Sequence, residues 1–183
     1  MMKLYTSVDI APSEKKIGYQ DKILLLGSCF ADNVGEKFGE YYFQTTVNPF
    51  GTLYNPVSIA NNLLPIADII VSNPPYICEK EKKDMAPRVL DHEPHSALFV
   101  PDTDPLLFYR QIASLAFLPS TGVAELQPND LQAQPIYLFF EINEAYGNEV
   151  CDMMRQMGYS NVELKYDMYG KPRMVAGRIV RQG

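Results

Sequence analysis

Four short apolar runs constrain this chain more than any other feature: KILLLG (22–27), ADIIVSN (67–73), IYLFFEI (136–142) and PRMVAGRIV (172–180). The first three are continuous rather than alternating. A strand with apolar residues at successive positions must be covered on both faces, as parallel strands in α/β proteins are. Helical spacing fills the intervals. In SCFADNVGEKFGEYYF, Phe30, Val34, Phe38 and Tyr41 or Tyr42 recur every three to four residues, and Ser28 stands where a helix cap belongs. PLLFYRQIASLAFLPS (105–120) places Leu106, Tyr109, Ile112, Ala113 and Ala116 on one face. GNEVCDMMRQMGY (147–159) turns Val150, Met153, Met154 and Met157 inward and stops at Gly158.

NVELKYD (161–167) and PRMVAGRIV alternate, and Gly170-Lys171 joins them as an antiparallel hairpin. The expected fold is therefore α/β, a Rossmann-like three-layer sheet. KILLLG and its helix are expected to lie beside IIVSN as the first strand-helix unit of that sheet. Two Asn-Pro pairs and Gly51 make VNPFGTLYNPVS (47–58) an irregular loop, and SIANNLLPIA starts a helix that stops near Pro65. NPPYICEKEKKDM reads as a loop with a charged, solvated exit.

Composition removes several function classes. The 183 residues suit one domain, and 16 basic against 22 acidic residues give a net charge of −6. That balance speaks against nucleic acid as a partner. No apolar run reaches the roughly 18 residues of a membrane helix, and the start, MMKLYTSVDIAPSEKK, lacks the apolar core of a leader. Cys29, Cys78 and Cys151 form no C-x-x-C pair and read as reduced thiols of a cytoplasmic protein. Asp102 and Asp104 fall short of a calcium ligand set, so no metal is expected.

The chemistry concentrates at Ser72–Tyr76, SNPPY, directly after a buried strand. Loops beyond the carboxyl ends of such strands form the ligand crevice. Pro74 pushes Asn73 out of the helical region, and Pro74 with Pro75 fixes two successive φ angles. Neither proline has an N–H, so the stretch offers acceptors. The Asn73 side-chain oxygen and a nearby carbonyl can receive both hydrogens of a planar –NH₂ group, with Tyr76 against its flat face. A rigid turn at a strand end is the plain alternative. Glu141 and Asn143, at the end of IYLFFEI, either support this loop or cap the next helix.

IIVSNPPYI, RVLDHEPHSALFVPDTDPLLFYRQIA, YLFFEINEAYGNEV and GYSNVELKYDMYGKPRMVAGRI together resemble the carboxyl-terminal part of the release-factor glutamine methyltransferases, over about 67–179. The resemblance implies a methyltransferase sheet, S-adenosylmethionine as cofactor, and methylation of the glutamine amide in the Gly-Gly-Gln motif of peptide-chain release factors. It further implies that Asn73, as the catalytic, orienting residue, and the Pro74 carbonyl bind the target amide. Pro75 and Tyr76 shape that pocket. NPPY is shared with enzymes that methylate DNA adenine, and the HEP and DPLLFY blocks favour the release-factor branch. The family's G-x-G-x-G cofactor loop is absent from this chain.

KILLLGSCFADNVGEKF and VNPFGTLYNPVSI resemble the front of the GSCFA family, related to SGNH-type hydrolases, over about 1–62. That resemblance implies Ser28 as an alternative nucleophile, with cap as its simpler role. The Asp-x-x-His block of that family is absent, and the two histidines, His92 and His95, fall in the methyltransferase-like part. The chain thus divides into a GSCFA-like segment, 1–65, and a methyltransferase-like segment, 66–183. The function expected first is protein-glutamine N-methylation. A GSCFA-type hydrolase fragment or a non-catalytic fusion remnant is the alternative.

Overall fold

Leu24 and Leu26 face one way from strand β1 (Lys22–Gly27) and Ile23 and Leu25 the other, and all four are buried. Each face therefore needs its own cover. The computed structural model of the chain, which describes residues 12, 15–27, 29–49, 67–85, 90, 95–116 and 135–180, shows how that cover is supplied. Helix α1 (Cys29–Glu40) lays Ala31, Val34 and Phe38 over Ile23, Leu25 and Ile69. On the opposite face, Leu24, Leu26 and Ile70 join a larger core with Tyr109, Ile112 and Ala113 of α3 (Leu107–Leu115) and Val150, Met153 and Met154 of α4 (Gly147–Gln156). The three-layer α/β arrangement is the one expected. Each fully buried aliphatic side chain contributes about 1.5–3 kcal/mol.

The sheet has six strands in the order β2-β1-β3-β6-β8-β7. β1 runs parallel to β2 (Gln44–Val47) on one side and to β3 (Ile69–Asn73) on the other. β3 is also parallel to β6 (Pro135–Glu141), while β8 (Pro172–Val180) is antiparallel to both β6 and β7 (Ser160–Tyr166). KILLLG thus sits beside IIVSN, Ile23 opposite Ile69 through Gly27 opposite Asn73. The closing hairpin is antiparallel as its alternation required, and Gly170 in its turn has φ +75°.

Four stretches depart from the sequence expectation. The first helix stops at Glu40, so Tyr41 and Tyr42 lie beyond it and are exposed. Phe30 in its first turn is exposed as well, leaving Val34 and Phe38 of the expected apolar face against the sheet. β2 was not legible: QTTV is short and polar, and only its pairing as an edge strand against β1 makes it a strand. The segment after NPPY is not a plain solvated loop. It forms the short strand β4 (Ile77–Cys78), parallel to β5 (Phe99–Val100), and then a 3₁₀ helix over Glu79–Asp84. A one-turn helix, α2 (His95–Leu98), leads into β5. The expected helix at SIANNLLPIA lies outside the described residues, as do the division at 65–66, His92 and Ser28 with its capping role.

Gly35 shows why a weak helix former persists inside α1. A Cβ there would overlap Cγ2 of Val47 on β2, so the glycine permits the helix to lie close on the sheet, whereas Gly39 has no such neighbour. Gly35→Ala is expected to lower stability by about 1–3 kcal/mol through overpacking, despite about 1 kcal/mol of gained helix propensity. Gly39→Ala is expected to raise stability by up to about 1 kcal/mol. Urea melts of the two variants check the contrast; equal effects would mean that α1 does not approach β2 this closely.

Candidate functional site

β1, β2, β3 and β6 point the same way, and their carboxyl ends bring together Gly27, Asn48, Asn73–Tyr76 and Glu141–Asn143. The helix after β1 covers one face and those flanking β6 the other. The crossovers therefore diverge between β1 and β3, the position where open α/β sheets bind ligands. Gly27 makes the two strand ends meet. Its φ is +149°, and a Cβ would stand 2.8 Å from the Asn73 carbonyl oxygen.

The four residues that the sequence singled out are together here. Asn73 is half-buried, Pro74 and Pro75 are buried, and Tyr76 packs its ring on the edge of the larger core. No hydrogen bond among the described residues engages the Asn73 side chain, whereas Tyr76 is held at both ends. Its hydroxyl donates to Glu141 Oε1 at 3.2 Å, and its carbonyl accepts from Asn143 Nδ2 at 3.1 Å. Burial first, then the charge and hydrogen bond of Glu141, push the Tyr76 phenol up to about 12, against an opposing pull from Arg173.

Asn143 fills both roles weighed for it. Its Oδ1 accepts from Ala145 N at 3.0 Å, capping the 3₁₀ turn Glu144–Tyr146, and its Nδ2 supports the loop. Its backbone N–H donates to the buried Tyr109 hydroxyl at 3.2 Å, and burial raises that phenol well above its ordinary value. Sequence reasoning missed Glu81. The EKEKKD run looks solvated, yet Glu81 Oε2 turns inward to accept from Asn143 Nδ2 at 3.0 Å and from Cys78 N at 2.7 Å.

Other candidates disperse. His95 is exposed and meets the Phe99 ring edge-on. Asp102 accepts from Lys80 N, and Asp104 pairs with Arg110. A depression of about 220 Å³ lies among Lys22, Gln44 and Ala67, at the amino ends of the strands and away from this crevice. No helix among the described residues is long and apolar enough to cross a membrane.

A nucleoside cofactor in such a sheet needs an acidic group after the second strand to accept from its ribose hydroxyls. After β2 stands Asn48, whose Oδ1 accepts from Gly27 N at 3.1 Å and whose Nδ2 donates to Asp32 Oδ1 at 3.1 Å. The residue after β2 is thus an amide whose oxygen is already in use. These described residues do not fit S-adenosylmethionine.

Comparison with known proteins gives two kinds of match. The GSCFA family matches residues 22–104, extending past the division expected at 65–66. The release factor glutamine methyltransferase of Bacteroides thetaiotaomicron is 47% identical over 108 residues, 59% of this chain and 34% of that protein. That of Flavobacterium psychrophilum is 44% identical over 108 residues, with the same shares. A solved protein-(glutamine-N5) methyltransferase (release factor-specific) from Alicyclobacillus acidocaldarius covers 89% of this chain and 81% of its own, at 19% identity and a TM-score of 0.46. The chain is related to the release factor glutamine methyltransferases, and it spans about a third of the length of these curated relatives.

The Tyr76 phenol generates a test of the geometry. Its folded value is raised above the ordinary 10, so the stability tied to its protonated form is complete below about pH 10 and is lost as pH rises through about 12. Tyr76→Phe is expected to lose about 1 kcal/mol at pH 7 from the missing hydrogen bond. The gap from the unmodified protein should close between pH 10 and 12. Chemical denaturation across that range reads it; a gap that widens instead would place Tyr76 elsewhere.

Proposed function

We propose that this chain recognises the side-chain carboxamide of a glutamine in a peptide-chain release factor, through the Asn73–Tyr76 loop at the end of β3. The observation that carries this reading is the unequal bracing of the loop. Tyr76 is tied by Glu141 and Asn143, and the Asn73 amide beside it has no partner among the described residues. A primary carboxamide brings two N–H donors on one nitrogen. Asn73 Oδ1 and the Pro74 carbonyl accept them, and the Tyr76 ring lies along the flat face. Glutamate has no N–H to give, so the site selects glutamine by leaving acceptors unpaired with the wrong side chain.

The relationship to release factor glutamine methyltransferases supports both the substrate class and S-adenosylmethionine as the methyl donor of the ancestral reaction. Methylation by this chain itself is the second reading. It is favoured by β1 and α1 standing in the first strand-helix place beside β3. The hydrolase reading through Ser28 rests on the pentapeptide Gly27–Ala31 and the GSCFA match. We further read 1–65 and 66–183 as segments of separate origin that meet in one sheet, and place the chain with its partner in the cytoplasm.

Calorimetric titration tests the readings in turn. A release factor bearing Gly-Gly-Gln is expected to bind, and a Gly-Gly-Glu variant to bind at least about tenfold more weakly. Asn73→Ala should cost about 1–3 kcal/mol of that binding. Unchanged affinity in Asn73→Ala removes the site assignment. No binding of S-adenosylmethionine or S-adenosylhomocysteine by the cooperatively folded chain is the expected outcome. Saturable micromolar binding would put the methylation reading first, and fluorophosphonate labelling of Ser28 would replace both.

A further inference from the structure

We propose that Glu81 and Asn143 form a clamp that sets the position of the Asn73–Tyr76 loop, with Asn143 acting as a positioning residue for amide recognition and not only as a cap. The inference rests on the reading of that loop as the carboxamide site. Asn143 is 6% exposed, and every polar group of its side chain is engaged. Oδ1 accepts the Ala145 N–H, and the two Nδ2 hydrogens go to the Tyr76 carbonyl and to Glu81 Oε2. A flipped amide would face N–H against N–H on one side and oxygen against two acceptors on the other. Glu81, an acceptor at its carboxylate, thereby dictates that the NH₂ end points to Tyr76.

The same Glu81 oxygen also accepts the Cys78 N–H. One Glu-Asn pair therefore holds the carbonyl of residue 76 and the N–H of residue 78. Upstream, the rings of Pro74 and Pro75 fix two φ angles, so few rotations separate the clamp from Asn73. A shift of the Tyr76 carbonyl passes along this stiff tripeptide to the Asn73 amide instead of being absorbed. Further bonds steady the base of the clamp: Lys80 N to Asp102 Oδ1 at 3.0 Å, Lys80 Nζ to Tyr146 Oη at 3.3 Å, and Asn143 N to Tyr109 Oη at 3.2 Å.

Cap and clamp are separable by substitution. Asn143→Asp keeps an oxygen for the Ala145 N–H but has no hydrogen for Tyr76 and sets a carboxylate against Glu81. Glu81→Gln keeps the single oxygen that accepts both bonds, and Glu81→Ala removes it. The full chain and these variants, with Asn73→Ala as reference, are titrated with the Gly-Gly-Gln release factor, and hydrogen exchange of the Cys78 amide is followed alongside. Asn143→Asp and Glu81→Ala are expected to bind about tenfold more weakly or worse. Glu81→Gln should bind as the unmodified chain does, and Cys78 should exchange faster in Glu81→Ala alone of the two Glu81 variants. Full affinity in Asn143→Asp or in Glu81→Ala, with binding lost in Asn73→Ala, overturns the clamp and leaves the amide reading standing. Equal loss in Glu81→Gln and Glu81→Ala also overturns it, and no binding by the unmodified chain overturns both. Should Asn143→Asp fail to fold, the Glu81 pair decides alone.

Discussion

A parallel strand in the middle of a sheet has no solvent-facing side, so it needs a neighbour on each edge and a helix over each face before it can be buried. β3 meets all four demands at once. β1 and β6 pair its edges, Ile69 packs towards α1, and Ile70 packs towards α3 and α4, both side chains being fully buried. Everything distinctive about this chain follows from that burial, because the end of β3 is where Asn73 and the two prolines emerge. If the Ile23–Ile69 register slipped by one residue, Gly27 would no longer face Asn73, and a side chain would stand where the glycine now permits close approach.

The crevice that results is uneven in its chemistry. On the β6 side, Glu141, Asn143 and Glu81 are turned towards the NPPY loop and leave the Asn73 amide as the group without a described partner. On the β2 side, Asn48 bonds back to Gly27 and across to Asp32, so its side-chain amide is engaged within the sheet end. A site that orients an amide and a site that holds a nucleoside cofactor make different demands: the first needs rigid acceptors, the second an acidic group for the ribose hydroxyls. The residue after β2 among those described is an amide, Asn48, and not an acidic group. This asymmetry agrees with a chain that matches methyltransferases over about a third of their length and the GSCFA family nearer its front.

What the sequence determined by itself were the elements whose signal is local. Continuous apolar runs made β1, β3 and β6 readable, three-to-four spacing made α1, α3 and α4 readable, and Asn-Pro-Pro announced a stiff strand exit. Tertiary structure decided the rest. QTTV carries no apolar pattern, and it is a strand because an open edge of β1 lies within hydrogen-bonding reach. EKEKKD has the composition of a solvated run; Glu81 accepts the Cys78 N–H as a local capping contact three positions back, but only the fold brings to it the Asn143 amide, 62 positions further along the chain. Asn143 shows the division within one residue: its capping oxygen serves a neighbour two positions on, which a local pattern can reveal. Its NH₂ group serves Tyr76, 67 positions earlier, and only the sheet's strand order brings those two together.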